Sequence, residues 1–224
     1  MFSSWRRRLA EHVDLCLVHL PGRGRRMGEP PFKRLDALVE AIADVITDEL
    51  QHPFAFYGHS MGAAIATTVA QLLAADPGTP SPFTLIVGGC APALVCAESS
   101  WCLSPDCADE ELIDWMRRLG ATPPEVLAAP RLLRLFVRLM RADLAVLDSW
   151  WRNHETTALP HPLRAVAGRH DAVVPPAEMI AWQAETAAEF SLTVVEGDHF
   201  FYSQALRTVL KLIAADLAAV PASG

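Results

Sequence analysis

The 224-residue chain has no apolar run approaching the ~20 residues that a membrane-spanning helix needs. Its most apolar stretch, RLLRLFVRLMR, is interrupted by arginine every three or four residues. The start, MFSSWRRRLAEH, is positively charged but no apolar stretch follows it, so it makes a poor secretory signal. No CxxC pair occurs, and five cysteines is an odd number; the expectation is reduced thiols in a cytoplasmic protein. An excess of positive charge is also absent. The net charge of −7 argues against a nucleic-acid partner. No cluster of metal ligands is present, so neither a metal nor a cofactor is expected. The run Gly22–Gly28 is rich in glycine and arginine but lacks the Lys-Ser/Thr of a phosphate loop, and reads as a surface turn. Internal repeats and low-complexity segments are missing too.

What is present is a hydrophobic fraction of 51% in a length that suits a single domain, here residues 1–224. Such a chain buries about 70% of its unfolded surface. Short apolar runs alternate with longer helical stretches, the pattern of an α/β protein with a mostly parallel sheet wrapped by helices. Strands are expected at Val13–Leu20, Phe54–Tyr57, Phe83–Gly88, Leu163–Ala167 and Leu192–Glu196. A helix over about Arg34–Leu50 would present Leu35, Leu38, Val39, Ile42, Val45, Ile46 and Leu50 as one apolar face. Another, Met61–Ala74, is almost wholly apolar and should be buried. Between Cys90 and Pro160 no strand stands out. Helices are expected at Asp109–Leu119 and from Arg131 to about Trp151, the latter apolar at Leu132, Leu135, Phe136, Leu139, Met140, Leu144 and Leu147. They form an inserted helical lid, about residues 98–158.

Gly58-His59-Ser60-Met61-Gly62 matches G-x-S-x-G, follows the run FAFY directly and leads straight into an apolar helix. That context points to the nucleophile elbow of the α/β-hydrolase fold, in which a strained strand-to-helix turn exposes the serine hydroxyl and two glycines let neighbouring backbone pass close by. An incidental serine in a glycine-rich turn is the alternative. A serine hydroxyl needs a base, and the base an acid to orient it; in this fold they follow in the order serine, acid, histidine. Asp171 in Gly168-Arg169-His170-Asp171 and His199 in Gly197-Asp198-His199-Phe200-Phe201 each follow an expected strand, and carboxyl ends of parallel strands are where such groups gather. Asp198 is the rival acid, but in an extended loop it points away from the adjacent His199. His12, His19, His52, His154 and His161 read as structural or solvated, as do His59 and His170, although these two adjoin catalytic candidates. The backbone N–H of Met61 is the expected oxyanion donor, with a second from a loop after an earlier strand.

Taken together, these residues resemble the stand-alone (type II) thioesterases of polyketide and nonribosomal-peptide synthesis. The match runs through Leu20-Pro21-Gly22-Arg23 with Arg26 and Glu29-Pro30-Pro31, then GHSMG, the lid stretch Leu139-Met140-Arg141-Ala142-Asp143, Gly168-x-x-Asp171 and Gly197-Asp198-His199-Phe200-Phe201. The resemblance implies hydrolysis of acyl thioesters on the phosphopantetheine arm of acyl or peptidyl carrier proteins, which clears aberrant or stalled acyl groups from a synthase. A monomer without membrane or nucleic-acid partners is expected. One departure is plain. The family begins with a strand and a Pro-x-Ala-Gly-Gly loop, of which Phe2-Ser3-Ser4-Trp5 reads as the tail, so the amino-terminal strand and oxyanion loop are expected to be missing. Losing one oxyanion donor costs about 2.7–4 kcal/mol. A carboxylesterase of small esters, or a non-catalytic synthase partner, are the competing readings.

Arg131, Arg134, Arg138 and Arg141 recur at helical spacing and would form a basic stripe. Arg141 could instead be internal, held by an acid such as Asp143 or Asp148.

Overall fold

In the computed structural model, residues 5–6, 14–50, 53–96, 101–153, 157–204 and 206–218 are described. Four short apolar segments pair, all parallel, in the order β1-β2-β3-β4: β1 (Ala55–His59), β2 (Thr84–Gly88), β3 (Leu163–Gly168) and β4 (Phe190–Val195). The central strand β2, TLIVG, is buried at every position, as expected of a parallel strand covered on both faces. Side chains alternate between the faces. Leu85, Val87, Ala165 and Ala167 face one cluster, whereas Ile86 and Val166 join Val195, Phe201, Val209 and Ile213 in another.

The first cluster is closed by α1 (Leu35–Glu49) and α2 (Met61–Ala75). α1 buries Leu35, Leu38, Val39, Ala43 and Ile46, but Val45 is 60% exposed. At 100° per residue Val45 lies at the edge of the stripe, about 20° beyond Leu38, and the core does not reach it. One amino-terminal N–H of α1 is met from another element: Leu35 N–H donates to Ser149 Oγ at 2.8 Å. α2 is buried along most of its length. The second cluster is covered by α8 (Leu206–Ala218), which follows the short α7 (Phe201–Gln204).

The expected strand at Val13–Leu20 does not form. Val13 lies outside the described residues, and 14–20 have no ladder partner among them. An apolar run becomes a strand only when another strand accepts its hydrogen bonds. Instead Leu15 packs on the cluster of Trp5 and Ile86, and Leu20 on the main core.

Between β2 and β3 the described chain is helical: α3 (Ala93–Cys96), α4 (Asp109–Leu119), α5 (Pro124–Ala128) and α6 (Pro130–Asn153). Of the insertion expected at about 98–158, residues 98–100 and 154–156 lie outside the description. α4 carries Asp109, Glu110 and Glu111 in its first turn and ends on Gly120 at φ 74°, the charge and cap that its dipole and free carbonyls favour. It packs on α6 through Leu112, Trp115, Met116, Val137 and Leu144. Leu132 and Leu135, expected on the apolar face of α6, are 46% and 50% exposed. A 3-10 helix, Glu178–Glu185, brings the fully buried Trp182 against Trp150, and its Nε1–H donates to the Cys90 carbonyl at 2.6 Å. Among the described residues no helix is long and apolar enough to cross a membrane, and no disulfide links the cysteines.

Candidate active site

β1 ends at His59 and α2 starts at Met61, leaving Ser60 alone to make the turn. Ser60 has φ 54° and ψ −126° and, among the described residues, is the one non-glycine with positive φ. Such strain costs of order 1–3 kcal/mol and marks functional turns. The turn is fixed on both sides: Ser60 N–H donates to Gly88 O at 2.8 Å and Ala63 N–H to Ser60 O at 2.8 Å. The two motif glycines are not equivalent. A Cβ on Gly58 would lie 2.2 Å from the Gly62 carbonyl oxygen, whereas one on Gly62 would meet nothing within 4 Å. Close passage of backbone therefore explains Gly58 but not Gly62.

The loops after β3 and β4 bring Asp171 and His199 to the same end of the sheet, and both are buried. His199 Nε2 is 3.4 Å from Ser60 Oγ, and its Nδ1 is 3.0 and 3.2 Å from the Asp171 carboxylate oxygens. Asp171 Oδ1 also accepts the N–H groups of Val173 (2.8 Å) and Val174 (2.9 Å), which hold the carboxylate in one orientation. Asp198 is exposed and accepts from Phe200 N–H at 2.8 Å. Met61 is the first residue of α2, so its N–H has no acceptor within the helix.

Of the other histidines near the motifs, His170 is exposed and sits 3.3 Å from Glu196. His59 is buried, its ring 5.3 Å from that of His199 and in edge contact with Phe201 and Tyr202. Burial, and then the nearby His199, push its pKa down to about 3. Sequence reasoning had no signal for this proximity beyond adjacency to Ser60.

Next to Met61 is a pocket walled by Leu20, Pro21, Phe32, Leu38, Met61 and Val146, with Arg23 and Asp143 also lining it. The turn that carries Arg23 is locked by its neighbours: Arg26 pairs with Glu29 and donates to the His19 carbonyl at 2.8 Å, and Gly22 adopts φ 82° with Pro31 packed against it. Arg23 then forks onto Asp143 of α6, at 2.6 and 3.2 Å. Burial raises the Asp143 pKa, and Arg23 works against that rise. The motifs LPGR and LMRAD contained both residues, but their pairing across 120 positions was not legible. Arg141 is half-buried and held in place, though by neither suggested acid. It binds Asp109 at 2.6 Å and the carbonyls of Pro105 and Cys107, while Asp148 pairs with Arg152. Arg131, Arg134 and Arg138 are exposed, and among the described residues no ion pair engages them.

Comparisons with known proteins bear on the family and the fold. The thioesterase domain family matches residues 1–217. The gramicidin S biosynthesis protein GrsT of Aneurinibacillus migulanus is 33% identical over 201 residues, 89% of this chain and 77% of that protein. RedJ, a thioesterase from the prodiginine pathway of Streptomyces coelicolor, superposes with a TM-score of 0.85 at 28% identity, covering 96% of this chain and 84% of that one. YbtT, a type II thioesterase from the yersiniabactin NRPS/PKS pathway, gives 0.81 at 27% identity over 96% and 88%. The parallel sheet flanked by helices is that of these α/β-hydrolase thioesterases, and the chain belongs to the thioesterase domain family.

Proposed function

We propose that Ser60, His199 and Asp171 act as nucleophile, general base and orienting acid in hydrolysing acyl thioesters carried on the phosphopantetheine arm of carrier proteins. The observation that carries this reading is the continuous path from Ser60 Oγ through His199 to Asp171, 3.4 and 3.0 Å, set on a strained elbow. Ser60 Oγ attacks the thioester carbonyl as His199 Nε2 takes its proton. The resulting oxyanion accepts from Met61 N–H, aided by the positive end of α2. The C–S bond breaks, and His199 returns the proton to the departing pantetheine sulfur. Water, deprotonated by His199, then attacks the acyl-Ser60 ester; the bond from the acyl carbon to Ser60 Oγ breaks, His199 returns the proton to Oγ, and a carboxylic acid is released. Asp171 keeps the imidazole in the tautomer that presents Nε2 to Ser60 and stabilises the imidazolium.

In this reading α4 to α6 form a lid over the site of a single domain. Removal of aberrant or stalled acyl groups from a polyketide or nonribosomal-peptide synthase is the role that the relatives' pathways support. The protein would act as a cytoplasmic monomer without nucleic-acid or membrane partners. The test is mass spectrometry of an acylated carrier protein incubated with wild-type or Ser60→Ala protein, alongside a simple ester. Loss of the acyl group with wild type alone, faster than ester cleavage, supports the reading. Equal deacylation by Ser60→Ala removes Ser60 from it.

A further inference from the structure

His59 ends β1 immediately before Ser60, and its side chain is buried. Two glycines crowd its ring: a Cβ on Gly88 would lie 3.2 Å from Nδ1, and one on Gly89 2.6 Å from Cε1. The segment that carries His199 packs on the same ring, with ring separations of 5.3 Å to His199, 5.1 Å to Phe201 and 4.7 Å to Tyr202. Both His59 nitrogens are buried, and among the described residues neither has a hydrogen bond of normal geometry. The His199 backbone and Asp171 favour its protonation, but they do not offset burial. A buried polar group left in this way costs about 1–3 kcal/mol, so fold stability alone does not select histidine here.

His199 needs a wall at this place. Asp171 holds it through one atom, Nδ1, at 3.0 and 3.2 Å, which leaves the ring able to pivot about that atom. A pivot swings the far nitrogen, Nε2, which already stands 3.4 Å from Ser60 Oγ, beyond the usual range for proton transfer. Misplacement by about 1 Å costs on the order of 10²-fold in rate. Imidazole is a small flat ring that fits the space left by the two glycines, where a phenyl ring would overfill it. Kept uncharged by burial, it also puts no like charge beside the imidazolium that forms on His199.

We propose that His59 is a positioning residue for the hydrolysis: its flat ring, wedged between Gly89 and the segment 199–202, stops the His199 ring from pivoting about Nδ1 and keeps Nε2 on Ser60 Oγ. The proposal rests on the thioesterase reading and adds a fourth side chain to it, one that acts through His199 and does not touch the substrate.

The test compares wild type with His59→Leu, which keeps the bulk but not the flat ring, using butanoyl-pantetheine as substrate and proton NMR of the His199 Nδ1–H that bonds to Asp171. The folded variant is expected to show kcat about 10–100-fold lower with KM within about twofold, and a broadened or lost Nδ1–H resonance. A merely structural role would reduce the folded fraction and leave both the turnover of folded molecules and this resonance unchanged, and that result overturns the proposal. Should His59→Leu not fold, His59→Gln takes its place with the same expectations. In wild type, cross-relaxation between the His59 and His199 ring protons must be observed, and its absence overturns the proposal whatever the variants do. If wild type hydrolyses no thioester, the thioesterase reading falls, and the Nδ1–H resonance alone decides the positioning: lost in the variant it supports the proposal, retained it overturns it.

Discussion

The His59 ring lies 5.3 Å from the His199 ring, so the residue preceding Ser60 is packed against the histidine that faces Ser60. Gly89 closes the other side: a Cβ there would fall 2.6 Å from His59 Cε1 and 3.3 Å from His199 Cε1. His59 is thus enclosed where a charge is poorly tolerated.

That enclosure predicts a pH dependence of stability. The folded-state pKa of about 3 is below the ordinary value near 6.5, so the unfolded chain takes up the proton first. The contribution is complete above about pH 6.5 and is lost as pH falls towards 3, with a slope of at most about 1.4 kcal/mol per pH unit. Between pH 6.5 and 5 this amounts to about 2 kcal/mol. Urea unfolding of wild type and His59→Gln at both pH values should show this loss in wild type only. Parallel losses in the two proteins would exclude His59 as the source.

The acid should be Asp171. Asp171→Asn lets the imidazole adopt the wrong tautomer and should lower kcat by about 10³–10⁴-fold. Asp198→Asn keeps an oxygen for Phe200 N–H and should cost less than tenfold. Steady-state rates of the two variants check the assignment, which fails if their losses are equal or reversed.

The two glycines of the elbow should respond in opposite ways. Gly58→Ala drives a Cβ into the start of α2 and should destabilise by about 1–3 kcal/mol or more. Gly62→Ala meets open space inside a helix and should be neutral or stabilising by up to about 1 kcal/mol. Thermal unfolding distinguishes them; equal losses would contradict the packing described at Gly58.

The exposed Arg134 and Arg138 sit on α6 beside the exposed Leu132 and Leu135, in a chain of net charge −7. If an acidic carrier approaches over this face, Arg134→Glu with Arg138→Glu slows deacylation of the carrier at low salt, since complementary charge acts mainly on encounter rate. Hydrolysis of a carrier-free acyl thioester should be unchanged. Stopped-flow rates at two ionic strengths decide it, and unaltered carrier kinetics would mean a merely solvated face.

The sequence determined what depends on near neighbours. Short apolar runs marked four of the strands and the helical period marked the long helices, because burial on both faces and side-chain direction are written within a few residues. GHSMG between FAFY and an apolar helix located the elbow, since its strain is imposed by the turn itself. The same local logic selected Asp171 and His199 as candidates from their places after strands. What needed a distant partner was decided only by the tertiary structure. Residues 14–20 had the composition of a strand, yet no described strand pairs with them. Val45 matched an apolar period, yet the core lay to one side of it. Arg141 went to Asp109 and Arg23 to Asp143, and His59 came to rest on His199. A charge or a ring carries no mark of its partner in the chain, because that pairing is set by where the packed elements bring their side chains.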